Sequence, residues 1–130
     1  MGLDISHDAF HGAYSAFNRF RKALARAMGG SFPPHDLFEH DDNRWYWGHG
    51  YSAETHPGLT IFFCHSDCDG EMTPEECALV IRDLAPLVEK LPAYGGGGHI
   101  ESAGGYRAVG EQFLRGCQAA IDANENLEFH

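Results

Sequence analysis

Residues Thr73-Pro74-Glu75-Glu76 fix one helix start more tightly than any other stretch of this 130-residue chain. Thr73 supplies a cap oxygen. Pro74 suits the first helical position, where an N–H would have no partner. Glu76 stands three residues after the cap and can reach back to the cap's own N–H. Cys77, Val80, Ile81, Leu84, Leu87, Val88 and Leu91 then recur at three- and four-residue steps, so one face of the helix is apolar and belongs in a core. Pro86 falls inside this pattern and is expected to kink or split the helix, and Pro92 to end it.

Two further helices follow from the same periodicity. One is expected over about Asp8–Met28, with Phe10, Tyr14, Phe17, Leu24 and Met28 on its apolar face, Ser6 as its cap and Gly29-Gly30 as its stop. The other is expected over about Gly104–Ala123, with Tyr106, Val109, Phe113, Cys117 and Ile121 facing inward. Gly58 to Cys64 (GLTIFFC) reads as a short buried strand, and Leu127-Glu128-Phe129 as another. Residues 30–58 read as a loop or short strand pair around 44–52, with Trp45, Tyr46, Trp47 and Tyr51 closing one end of the core. Ala93–Gly105 is a Gly-rich connection that lacks the G-K-[ST] ending of a phosphate loop. The expected architecture is therefore α+β: three main helices on a small sheet built around residues 59–64, in one domain over 1–130, with α/β as the alternative.

Charge narrows the partners. Nineteen acidic residues oppose nine basic ones, for a net charge of −10. Such a surface repels a phosphate backbone, so direct nucleic-acid binding is not expected. An acidic face holds cations, meets a basic partner, or aids solubility. Arg19, Lys22 and Arg26 form a basic stripe at helical spacing, which reads first as a solvated face and second as a docking face. The opening residues lack a basic and then apolar leader, and the longest apolar run, Leu59–Cys64, is too short to span a bilayer. Cys64, Cys68, Cys77 and Cys117 show no secreted-type framework, so the expected setting is the cytoplasm, with reduced thiols and no membrane partner.

One segment carries the residue types of a metal site. In His65-Ser66-Asp67-Cys68-Asp69-Gly70-Glu71-Met72-Thr73-Pro74-Glu75-Glu76, a twelve-residue cation loop would place His65 at position 1, Asp67 at 3, Asp69 at 5 and Gly70 at the sharp turn. Glu71 would offer its carbonyl, Thr73 would take position 9, and Glu76 would be the final bidentate ligand. The carboxylates suit Ca²⁺, while the His65 nitrogen beside two carboxylates suits Mn²⁺, Zn²⁺ or Fe²⁺. The same residues have a plainer reading: Asp67, Asp69 and Gly70 as turn formers, Thr73 and Glu76 as a capping box.

The strand followed by D-x-D-G-x-x-T also resembles the nucleophile loop of haloacid-dehalogenase-like phosphatases. That resemblance implies Asp67 as nucleophile, Asp69 as acid/base and a bridging Mg²⁺. His65 and Ser66 intervene before the first Asp, and the later Lys and paired-carboxylate motifs are missing. His7 and His11, four apart, lack the Glu of a metalloprotease pair, and Cys64, His65 and Cys68 lack C-x-x-C spacing.

Over most of the chain, MGLDISHDAFHGAYSAF, HSDCDGEMTPEEC and ENLEFH together resemble a small phage and bacterial family. The resemblance implies a cytoplasmic setting and a prophage-borne gene, but no activity and no functional residue. The functional expectation is a non-enzymatic accessory protein that acts through protein contacts, with an ion at residues 65–76 shaping its surface. The alternative is a small metal-dependent hydrolase using His65, Asp67 and Asp69.

Overall fold

The computed structural model describes residues 2–28, 54–66, 69–92 and 98–130. The expected strand pair at 44–52, its aromatic cluster, Gly29-Gly30 and residues 93–97 lie outside them. The described residues form an α+β arrangement: β1 (Gly2–Ile5), β2 (Phe10–Ala13), α1 (Tyr14–Ala27), α2 (Pro57–Cys64), β3 (Glu71–Met72), α3 (Pro74–Val88), α4 (Gly98–Ser102), α5 (Tyr106–Ala123) and β4 (Leu127–Glu128). Among them no helix is long and apolar enough to cross a membrane.

Residues 8–13, expected to open the first helix, instead complete a hairpin. β1 alternates exposed and buried, with Leu3 and Ile5 inside, and pairs antiparallel with β2 in the register Ile5–Phe10 to Gly2–Ala13. The turn between them closes with Ala9 N–H on the Ser6 carbonyl at 3.2 Å. His7 and Asp8, at its centre, both adopt positive φ, 58° and 60°. Hairpin turns of the primed class need that handedness to match strand twist, and Asp tolerates it better than most residues. The three- and four-residue spacing of Phe10, Tyr14 and Phe17 is genuine, but Phe10 reaches the core from a strand. Ser6 does not cap a helix: its hydroxyl accepts from Glu128 N–H at 2.8 Å.

The segment expected as a buried strand, 59–64, is the helix α2. Short apolar runs do not distinguish the two by pattern alone, and the deciding contacts come from distant parts of the chain. Pro57 occupies the first helical turn. The next N–H, of Gly58, donates to the buried Asp83 carboxylate of α3 at 2.7 Å. At the other end the buried Arg21 guanidinium of α1 donates to the carbonyls of Phe62, Phe63 and His65 at 3.0, 3.2 and 2.8 Å. A carboxylate thus sits at the positive end of α2 and a guanidinium at its negative end, satisfying groups that a short helix otherwise leaves open. Arg21 also lies over the Phe17 ring, 4.7 Å from its centroid. Helix α2 packs closely on α3, where a Cβ on Gly58 would fall onto the Leu79 carbonyl and 2.8 Å from Asp83 Oδ2.

The sheet therefore does not surround residues 59–64. Two antiparallel strand pairs, β1–β2 and β3–β4, are joined by a bridge between Ile5 and Phe129, giving the order β2, β1, β4, β3. Asp4 and His130 exchange backbone hydrogen bonds at 3.2 and 2.8 Å, and Ser6 N–H reaches the Glu128 carbonyl at 2.9 Å. Leu3, Ile5, Leu127, Phe129 and Met72 point inward from these strands. They meet an aromatic core in which Phe17, Phe20, Phe62 and Phe113 pack mostly edge to face, Phe62 and Phe113 at 5.2 Å. Edge-to-face packing matches the positive rim of one ring to the negative face of the next.

Helices α3 and α5 form as the sequence predicts. Thr73 Oγ1 accepts from Glu76 N–H at 3.1 Å, and Glu76 Oε1 accepts from Thr73 N–H at 2.9 Å, completing the capping box. Helix α3 is not split: it runs through Pro86, which falls in its last turn. Inward-facing Val109, Phe113 and Cys117 are buried on α5, and Asn124 ends it in the left-handed conformation. Cys77 of α3 and Cys117 of α5 are both buried. The neighbouring Cys77 thiol and then burial push the Cys117 thiol up, while the Cys117 thiol draws that of Cys77 down.

Candidate functional site

The segment singled out by its residue types, 65–76, leaves the C-terminal end of α2 and enters α3 through β3. Its described residues 65, 66 and 69–71 gather around the His65 ring. The imidazole stacks on Phe129 with centroids 4.0 Å apart and planes tilted by 31°. Its Nδ1 lies 2.8 Å from the Ser66 carbonyl, and its Nε2 3.2 Å from the Glu71 carbonyl. Both ring nitrogens therefore face carbonyl oxygens in this conformation. Gly70 turns the chain beneath the ring with φ of 96°, and a Cβ there would approach His65 Cε1 to 3.2 Å. The Gly70 carbonyl accepts from Phe129 N–H at 2.9 Å, which begins the β3–β4 pairing.

The other expected ligands divide between backbone work and open surface. Asp67 lies outside the described residues. Asp69 is exposed, and its N–H donates to Ser66 Oγ at 3.3 Å. Glu71 is exposed on β3, while Thr73 and Glu76 hold each other in the capping box. Among the described residues no group of three or more His, Cys, Asp or Glu side chains is placed to hold a metal ion.

What the strands do assemble is a charged outer face. Leu3, Ile5, Met72, Leu127 and Phe129 point inward, so alternation turns Asp4, Glu71, Glu128 and His130 outward. Glu71 stands directly opposite Glu128 in the β3–β4 register. Opposed like charges cost stability, and both groups are exposed, where water screens them. Next to them, His11 Nδ1 meets Asp4 Oδ1 at 2.9 Å, and Nε2 meets Asp8 Oδ1 at 2.7 Å. The hydrogen bonds to Asp4 and then Asp8 raise the His11 pKa above its ordinary value, against a smaller opposing effect of burial. His7 meets Glu125 at 3.2 Å, and His130 lies 3.7 Å from Glu128. The face therefore mixes carboxylates with imidazoles that carry charge only when protonated.

The two charged groups that sequence reasoning missed, Arg21 and Asp83, act on the frame rather than on this face. Arg21 was visible in principle: it falls four residues after Phe17 and three before Leu24, on the apolar side of α1 and off the basic stripe. Asp83 likewise lies three residues after Val80 and four before Leu87.

No family model, curated protein or solved structure matches this chain. The resemblance to phage and bacterial sequences accordingly rests on the three quoted motifs alone.

Proposed function

We propose that the chain is a non-enzymatic binding protein that acts through contact with another protein, and that its outward strand face receives a basic segment of that partner. The observation that carries this reading is the Glu71–Glu128 pair, two carboxylates opposed across neighbouring strands beside exposed Asp4 and Asp69. Solubility needs acidic residues but not opposed ones. Cations from a partner would relieve the repulsion on binding, and charge complementarity of this kind governs encounter and orientation. Loop 65–76 contributes by presenting Asp69 and Glu71 at the rim of the face.

The test is a backbone-amide NMR titration with a lysine-rich peptide at about physiological ionic strength, where the screening length is roughly 8 Å. Saturable shifts centred on Asp69–Met72 and Leu127–Phe129, weakened in a Glu71→Gln/Glu128→Gln variant, support the reading. Shifts spread evenly over exposed Glu75, Glu101 and Glu111 of the helices, unchanged in that variant, would show plain attraction between polyelectrolytes and sink it.

A further inference from the structure

A cavity of about 230 Å³ opens where the end of α1, the exit of α3 and the start of α5 meet. It shares no residue with the strand face. Arg26 comes from the last turn of α1, Lys90 from just past α3, and Tyr106 is the first residue of α5. Ala27, Leu91 and Pro92 supply apolar wall.

Cations at the C-terminal ends of α1 and α3 have a simple explanation in helix dipoles. That explanation covers each residue separately and leaves their convergence on one cavity unaddressed. Two further observations bear on the convergence. First, the chain carries ten more acidic than basic charges, yet the described ion pairs give neither Arg26 nor Lys90 a carboxylate. Second, two of the wall's carbonyl acceptors are already engaged. The Leu91 carbonyl takes both Nε and Nη2 of Arg107 at 3.1 and 2.8 Å, and the Pro92 carbonyl takes Arg107 N–H at 3.1 Å. The polar side chains lining the cavity, Arg26, Lys90 and Tyr106, can all donate hydrogen bonds.

We infer that this cavity binds a small organic anion, its phosphate or carboxylate head held by Arg26 and Lys90 and its apolar body laid against Ala27, Leu91 and Pro92. A planar guanidinium, a mobile ammonium and a phenol hydroxyl together suit an oxyanion head. A mostly apolar wall with a few converging polar groups is the usual construction of a small-molecule pocket. The overall negative charge of the chain repels anions at long range, so affinity depends on these local donors.

Phenyl phosphate, benzoate, inorganic phosphate and neutral benzyl alcohol, titrated separately and followed by backbone-amide NMR, test the inference. Saturable shifts of Ala27, Lys90, Leu91 and Tyr106 amides with phenyl phosphate or benzoate are expected, with the tighter of the two identifying the head group. Inorganic phosphate should bind more weakly. An Arg26→Gln/Lys90→Gln variant should weaken binding about tenfold or more, because it removes both charge-assisted hydrogen bonds to the head group. Both side chains are exposed, so the variant should keep the wild-type melting temperature. Absence of localised shifts with both aromatic anions overturns the inference. So does equal binding of benzyl alcohol, or equal binding by the folded variant.

Discussion

Helix α2 and the strand face treat charge in opposite ways. At α2 a guanidinium and a carboxylate are almost fully buried, Arg21 at 2% and Asp83 at 5% exposure, each against the helix end of complementary sign. On the strand face two carboxylates of the same sign are left opposite each other in water. Buried charge persists here only where it is satisfied, Arg21 by backbone carbonyls and Asp83 by the Gly58 N–H and the Arg82 guanidinium at 2.8 and 3.2 Å, and repulsion persists only where solvent screens it. The first arrangement fixes the fold. The second carries a small penalty that nearby cations lessen.

The strongest way to break this contrast is to remove the charges around α2. Arg21→Met exposes three carbonyls to an apolar environment and should cost about 3 kcal/mol, while Asp83→Ala strands the Gly58 N–H and should cost about 2 kcal/mol, both read by urea unfolding. The double variant should lose less than the sum if α2 detaches as one unit. Lys22→Met, on the same helix as Arg21 but on its basic stripe, should stay within about 0.5 kcal/mol of wild type. A cost that small for Arg21→Met would remove the distinction between the two regions.

At the strand face the expected change is smaller and opposite in sign. Glu71→Lys replaces repulsion across the β3–β4 pair with attraction and should raise stability by about 0.5 kcal/mol, a gain that shrinks as salt is added. A loss of stability would mean that Glu71 already has favourable surroundings. The smallest effect is a pH dependence. His11 has a raised folded-state pKa, so its contribution is complete below its ordinary value of 6.5 and is lost as pH rises through the higher folded-state value. Unfolding measured from about pH 6 to about pH 8.5 should therefore show stability falling with pH, and His11→Gln should flatten that part of the curve. An unchanged slope in the variant would assign the dependence to another group.

What was legible in the chain was local. Thr73, Pro74 and Glu76 announce the start of α3 because their partners lie within three residues, and Tyr106–Ala123 keeps one uninterrupted helical period. Leu127-Glu128 was readable as a strand for the same reason. The rest depends on distant groups. Nothing between Pro57 and Cys64 records that Asp83 will accept from one end and Arg21 donate to the other, so the run resembled a strand. Phe10 continued a helical spacing only by coincidence with its strand position, and the left-handed turn at His7-Asp8 carries no Gly to announce it. In the loop, the roles of Thr73 and Glu76 were readable as a cap, whereas the seat of His65 on Phe129 joins residues too far apart for any spacing rule.

The junction between β1 and β4 has a consequence for the order of folding. The bond from Glu128 N–H to Ser6 Oγ spans 122 positions, against 25 for the bond from Gly58 to Asp83. Chain-closure entropy grows as the logarithm of the span, so bringing the strand partners together costs about 1.4 kcal/mol more than closing α2 onto α3. Contacts that close the longest loops gain most when the shorter ones are already made. The expected order is therefore helical layer first and this seam last, with the Ser6 and His130 amides acquiring protection late in pulsed hydrogen exchange.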